Sequence, residues 1–317
     1  MKVIITDKIP IVAEQLIKRA GFGVKVIKRD KNFSKNVLIK NIKDADAVIS
    51  LLSDKIDKEV IDNMRRCKII ANYAVGFNNI DLAYAKSKGI IVTNTPDVLT
   101  DATADLAMTL ILSCARRFHE AEKLVREKKF KGWAPELLLG YDLKCKTLGI
   151  IGAGRIGQAT ALRALGFGLK ILYYNRTRKT EFENQTKAKK VSMNLLLKKS
   201  DFISIHLPLT NETKLLINRN NMKYLKPNAI VINTARGEII DEEYLIQLLK
   251  SRKIFAAGFD VYENEPKLNP KLLKLENAIL LPHIGSATVE TRNAMAELAA
   301  KNVINVLNHK KALTQIN

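Results

Sequence analysis

Acidic residues are in short supply in this 317-residue chain: 32 Asp and Glu stand against 53 Lys and Arg, a formal net charge of +21. An excess of that size raises nucleic acid as a partner. The positive charge is nevertheless spread over helix faces and loops, as in Lys187-Ala188-Lys189-Lys190 and residues 267–274. There is no basic tail and no basic patch interleaved with aromatics. A solvated lysine-rich surface that also attracts anionic substrates is the expectation, with no specific nucleic-acid partner. Cysteine is scarce and odd in number: Cys67, Cys114 and Cys145, without metal-ligand spacing. That excludes a disulfide framework, offers no metal site and suits a reducing cytoplasm. No apolar run approaches the ~20 residues a membrane span needs. The opening Met1-Lys2-Val3-Ile4-Ile5-Thr6-Asp7 reads as a strand rather than a signal peptide, because no cleavage pattern follows.

What is present, 47% hydrophobic residues, suffices for two domains with substantial cores. Short apolar runs at 3–6, 24–27, 47–51, 69–73 and 91–93 read as buried strands, with helical patterns at 11–20, 36–43, 58–65 and 80–88 between them. Such alternation predicts a parallel sheet covered on both faces. A long amphipathic pattern from 100 to about 128, opening at an Asp97/Thr100 capping region, predicts one helix crossing from the first domain to a second. Strands at 148–151, 170–174, 202–206, 229–233, 255–259 and 278–281 follow, six in all. A final helical run, 289–307, is expected to return to the first domain.

At the head of the second series stands Thr147-Leu148-Gly149-Ile150-Ile151-Gly152-Ala153-Gly154-Arg155-Ile156-Gly157-Gln158. A strand runs through G-x-G-x-x-G into a helix, and a second strand follows. This order is that of a dinucleotide-binding unit. The glycines allow a tight turn, let backbone N–H groups reach a pyrophosphate and let helix pack on strand, while the helix N-terminus supplies positive potential. The fold class is therefore α/β with two doubly wound parallel sheets. A Rossmann domain, 99–286, is inserted into a flavodoxin-like domain made of 1–98 plus 287–317.

Ligands of open α/β sheets bind beyond the carboxyl ends of the strands. There the second series places Thr234-Ala235-Arg236-Gly237, Asp260 to Pro266, and Pro282-His283-Ile284-Gly285-Ser286. Arg offers a planar fork of donors that fits a carboxylate and polarises a carbonyl. His hands a proton to an oxygen near neutrality. A Glu bonded to that imidazole fixes its tautomer and favours the protonated donor. Taken singly, Arg236 would equally suit a surface ion pair, Glu265 a turn and His283 a structural hydrogen bond. At one strand edge, beside a nicotinamide, they read as the reduction of a 2-keto acid.

Asn72 to Asp81, Thr95-Pro96-Asp97, Thr103-Ala104-Asp105, the glycine motif and the three strand-end segments together resemble the D-isomer-specific 2-hydroxyacid dehydrogenases. Gly285-Ser286-Ala287-Thr288, Gly132-Trp133-Ala134-Pro135 and Leu139-Gly140-Tyr141-Asp142-Leu143 point to the glyoxylate/hydroxypyruvate reductases within them. The resemblance implies Arg236, Glu265 and His283 as the catalytic trio. It also implies a substrate carboxylate held by the backbone N–H groups of Val75 and Gly76, near Leu51, in the cleft between the domains. Gly76 fits, as a residue that closes a strand and allows a tight anion-binding turn. Trp133 would enter a neighbouring subunit's pocket in a homodimer, or simply pack at the interface. Cofactor contacts are expected from Thr103, from Gly152, Ala153, Gly154, Arg155, Ile156 and Gly157, from Thr234 and Ala235, and from Asp260 and Gly285. His206 and Pro208 end the third strand on the adenine side, where a structural hydrogen bond for His206 is the plainer reading.

Two positions depart from the family's pattern. Cys145 replaces a common glycine and is expected to be a buried or half-buried spectator. At the end of the second strand, an NAD enzyme would carry an acid for the ribose hydroxyls. This chain has Asn175-Arg176-Thr177-Arg178. A carboxylate repels a 2′-phosphate and Arg pairs with it, so NADP(H) is favoured, with NAD(H) the alternative if an arginine stacks on adenine. The expected activity is reduction of glyoxylate or hydroxypyruvate to the D-2-hydroxy acid. The rivals are 3-phosphoglycerate dehydrogenase and, in a different class, a nucleotide-sensing co-repressor.

Overall fold

The early apolar runs become five parallel strands, β1 (Lys2–Ile5), β2 (Gly23–Val26), β3 (Ala47–Ser50), β4 (Ile69–Asn72) and β5 (Ile91–Thr93). The computed structural model describes residues 1–30 and 32–317. β3 and β4 are buried along their whole length, which explains sequences that are nearly all apolar rather than alternating. The order β2-β1-β3-β4-β5 is the flavodoxin-like one. Side chains of Asp57 and Asp81 accept the N–H groups of Val60 and Tyr84, fixing two helix starts. Helix Val289–Leu307 packs on β3, β4 and helix Val12–Arg19. The first compact unit is thus Met1–Leu99 with Ser286–Asn317.

The second unit, Thr100–Gly285, holds a seven-stranded parallel sheet. Its strands are β6 (Thr147–Ile151), β7 (Lys170–Tyr174), β8 (Lys189–Lys190), β9 (Phe202–Ile205), β10 (Ile230–Asn233), β11 (Ala256–Phe259) and β12 (Ala278–Leu280). The order β12-β11-β10-β9-β6-β7-β8 reverses between β6 and β9, the switch point at which such folds bind dinucleotides. Six strands are expected from the sequence; the seventh is β8, two exposed lysines at the sheet edge. A short charged pair suits an edge strand but carries no apolar signal.

The single helix expected over 100–128 is in fact two, Thr100–Ala115 and Phe118–Arg126. Arg117 adopts a left-handed φ of 52° between them, and its guanidinium grips both carboxylate oxygens of Glu120. The first helix is packed among β10, β11, β12 and helix Arg155–Gly166, so it belongs wholly to the second unit. The second helix buries none of its residues. Among the described residues no helix is long and apolar enough to cross a membrane.

Candidate active site

β6 delivers the glycine turn to the switch point. Gly152 has φ 98° and faces the carbonyl of His206, which a Cβ there would meet at 2.8 Å. A Cβ on Gly157 would run into the carbonyl of Gly152, so both positions require glycine. Gly154 is open, with no atom within 4 Å of where a Cβ would sit. Helix Arg155–Gly166 starts there with no side-chain cap on its first N–H groups, which leaves them to an anion. Ala153 is buried, whereas Gly154 and Arg155 are exposed and Ile156 half-exposed. The turn therefore fits a pyrophosphate. At the end of β10, the buried hydroxyl of Thr234 has no hydrogen-bond partner, as expected of a group that meets a bound cofactor.

His206, after β9, accepts or donates at Nε2 to the Ser204 hydroxyl at 2.8 Å. Burial drives its pKa from 6.5 down to about 3, so the ring is neutral. The plainer structural reading describes what this side chain does here. Pro208 lies on the same loop, and its carbonyl accepts the Thr213 hydroxyl.

The three strand-end segments are tied together by backbone and buried groups. Asn233 folds over the turn after β10, donating to the Arg236 carbonyl at 2.8 Å and accepting from the Ala235 N–H at 3.0 Å. A Cβ at Gly237 would overlap the backbone of Tyr262 and Glu263. The Arg236 turn is thereby pressed against the segment that carries Glu265. The Tyr262 hydroxyl bonds the Leu281 carbonyl at 2.8 Å, joining that segment to the end of β12. Asp260, almost fully buried, accepts the N–H groups of Ile284 and Gly285, each at 2.7 Å. Thr103 donates to the Gly285 carbonyl at 3.1 Å. Asp260, Thr103 and Gly285, expected at the cofactor, here fix the loop that presents His283.

Within that frame Glu265 Oε1 accepts the Tyr262 N–H at 2.9 Å, and Oε2 lies 2.8 Å from His283 Nδ1. Burial raises the Glu265 pKa, but the His283 bond, the Tyr262 N–H and the Arg236 charge outweigh it and hold the carboxyl below its usual range. Glu265 is therefore a carboxylate near neutrality. Because Glu265 occupies Nδ1, Nε2 is the ring nitrogen left for a further partner. Arg236 is deeply set: burial lowers its pKa while Glu265 and Glu238 act against that shift. A half-buried guanidinium next to a carboxylate–imidazole pair can take an anionic substrate and polarise a carbonyl.

Beyond β7 lies a groove of about 670 Å³. Asn175, Arg176 and Arg178 line it, as do Lys189 and Lys190 of β8. The Asn175 side chain bonds the Thr177 carbonyl at 2.9 Å and so shapes the turn. Arg178 bonds Glu183 at 2.8 Å, and Glu183 also accepts the Tyr173 hydroxyl at 2.7 Å. The lysines escaped sequence reading because their strand has no pattern.

In the five-stranded unit, β4 ends at Asn72, four residues before Gly76. Gly76 therefore does not close a strand, nor is it among the glycines with positive φ. The loop is shaped by partners instead. The carbonyls of Ala74, Val75 and Gly76 accept in turn the Thr95 N–H at 2.9 Å, Asn94 Nδ2 at 2.9 Å and Asn72 Nδ2 at 2.8 Å. In a trans peptide the N–H points opposite to the carbonyl. The N–H groups of Val75, Gly76 and Phe77 are thus turned away from those three partners. Asn79 bonds the carbonyls of Leu51 and Asp54, each at 3.1 Å, and the buried Asp54 carboxylate accepts the Leu51 N–H at 2.8 Å. Asn72, Asn79, Asn94 and Asp54 were not singled out from sequence. Their trace in the sequence is a polar residue at or just after an apolar strand run, Asn72 at the end of β4 and Asn94 after β5.

Trp133 is 86% exposed. Phe118, Val125, Phe130 and Leu139 are also more than half exposed, a run of large apolar side chains along 118–139. Cys145 is exposed, with φ 65°; the expectation of a buried thiol is corrected, because the residue sits on a left-handed turn facing solvent.

Residues 108–285 match the family model described as D-isomer specific 2-hydroxyacid dehydrogenase, NAD binding domain. The chain is 52% identical over 307 residues to the glyoxylate reductase of Thermococcus litoralis, a match that covers 96% of this chain and 92% of that protein. A crystal structure of a protein from Thermus thermophilus is similar over the full length of both chains, with TM-score 0.94 and 42% identity. The NADPH-dependent glyoxylate/hydroxypyruvate reductase of Sinorhizobium meliloti, solved with NADP and malonate, has TM-score 0.86 and 31% identity, covering 99% of this chain and 96% of that one. The second unit is accordingly a nicotinamide-dinucleotide domain, and the substrate is a small keto or hydroxy acid. The chain belongs to the D-isomer specific 2-hydroxyacid dehydrogenases.

Proposed function

We propose that this enzyme reduces glyoxylate or hydroxypyruvate to the D-2-hydroxy acid, using NADPH in preference to NADH. The observation that carries the reading is the 2.8 Å bond between Glu265 and His283 Nδ1, set in one frame with a half-buried Arg236. The nicotinamide supplies the hydride. The substrate carboxylate is taken by Arg236 and by the N–H groups of Val75 and Gly76, near Leu51. His283 Nε2 gives its proton to the carbonyl oxygen as the alcohol forms. Glu265 holds the imidazole in the orientation that makes this possible.

Several residues are assigned to the cofactor on the same footing. The uncapped turn from Gly152 to Gly157 takes the pyrophosphate, and the orphaned Thr234 hydroxyl with Ala235 lies along it. Absence of an acid after β7 and the arginines there favour the 2′-phosphate of NADP. The Sinorhizobium enzyme at 31% identity carries NADP in its solved complex, which supports the same preference. The exposed run that includes Trp133 fits the interface of a homodimer, because so many large apolar side chains are seldom left to water.

A panel of glyoxylate, hydroxypyruvate, 3-phosphohydroxypyruvate and pyruvate against both cofactors tests the proposal. Highest kcat/KM for the first two with NADPH is expected. Turnover of only the phosphorylated acid, or faster reaction with NADH, would overturn substrate and cofactor respectively.

A further inference from the structure

We propose that the 2′-phosphate of the cofactor is read by Arg176 together with Lys190 of the edge strand β8, and that Arg178 is not the reader. The inference rests on the NADP(H) reading above and assigns the charges that enforce it. Lys190 pairs in register with Tyr173, one strand over from the turn that follows β7. Its Nζ donates to the Arg176 carbonyl at 3.1 Å. This bond holds an ammonium beside the same turn that displays the Arg176 side chain. Both residues line the groove beyond β7.

Arg178 also lines that groove, but its guanidinium is bound to Glu183. Glu183 is itself anchored by the Tyr173 hydroxyl, and the Tyr173 and Arg178 bonds keep its carboxyl below the usual range. Arg178 therefore neutralises a local carboxylate rather than adding net charge. A phosphate monoester carries nearly two negative charges at neutral pH, so one guanidinium leaves the dianion under-compensated. Lys190 supplies the second charge. Lys189 precedes it by one residue and lines the same groove, but the bond to the Arg176 turn belongs to Lys190. Replacing Lys189 therefore distinguishes the lysine tied to that turn from a neighbour of equal charge in the same groove.

The test compares binding of adenosine 2′,5′-bisphosphate and adenosine 5′-phosphate by calorimetry at low salt, alongside KM for NADPH and NADH. Wild type is expected to bind the bisphosphate at least ~10-fold more tightly. Lys190→Gln should lose about tenfold in bisphosphate affinity and in KM for NADPH, with the monophosphate and NADH unchanged. Lys189→Gln, and the paired change Arg178→Ala with Glu183→Gln, should each lose less than threefold. Higher ionic strength should narrow the Lys190 effect. Equal losses at Lys189 and Lys190, or a larger loss from the Arg178/Glu183 pair, would overturn the assignment while leaving NADP preference intact. A wild type that does not distinguish the two nucleotides would overturn both readings together.

Discussion

At the carboxyl edge of the seven-stranded sheet, the candidate groups are side chains, carried on loops that other side chains hold. Asn233, Asp260 and Tyr262 bond main-chain groups so that Arg236, Glu265 and His283 stay in place. The loop after β4 in the five-stranded unit is held in the same way but presents backbone instead. There the side chains of Asn72 and Asn94 hold carbonyls, and the outward product is a row of backbone N–H groups. One region presents an imidazole and a guanidinium, while the other presents backbone N–H groups. The two should fail differently. Loss of a side-chain actor removes a step, whereas loss of an asparagine loosens the grip on a carboxylate.

The largest effect should come from His283→Asn, which removes the proposed proton donor. Its kcat should fall by ~10²–10⁴-fold, with nucleotide affinity nearly unchanged in a fluorescence titration. Arg236→Lys keeps charge and loses the planar fork, so kcat/KM should drop ~10- to 100-fold, chiefly through KM for the keto acid. Asn94→Ala should raise that KM by ~5- to 20-fold through the Val75 carbonyl it abandons. Its kcat should change less than twofold. A fall in kcat with unchanged KM in Asn94→Ala would contradict the division between the two regions.

The smallest effect is thermodynamic. His206 is neutral when folded, with its pKa depressed to about 3 from 6.5. Above 6.5 it binds no proton in either state and costs nothing. As pH falls from 6.5 towards 3 the unfolded chain gains a proton that the folded one excludes, so stability declines by up to ~1.4 kcal/mol per pH unit. Chemical unfolding at pH 7.0 and 5.0 should show a smaller decline in His206→Gln than in wild type. An identical decline would mean that the ring titrates normally in the fold.

The same contrast governs what the sequence made legible. Arg236, Glu265 and His283 follow strands in a pattern that names their chemistry, and the glycines of the β6 turn announce backbone approach. The asparagine scaffold did not, because Asn72 and Asn94 act through the direction of someone else's carbonyl, and nothing in residue type records that. The missed break at Arg117 has a related cause. Apolar periodicity continues through Phe118–Arg126, yet that helix buries nothing, so the pattern marks exposed apolar surface rather than a core-facing continuation. β8 was missed because two lysines give no periodicity, although register with β7 places them beside the cofactor turn.

The central claim is that Glu265 acts through His283. A double-mutant cycle on kcat/KM for glyoxylate, using Glu265→Gln, His283→Asn and the pair, tests it most directly. In the wild-type background Glu265→Gln should cost ~10- to 100-fold, the scale of a charge-assisted hydrogen bond. In the His283→Asn background the same change should cost less than twofold. Losses that simply multiply would contradict the account, because they would mean that Glu265 serves the reaction independently of the imidazole.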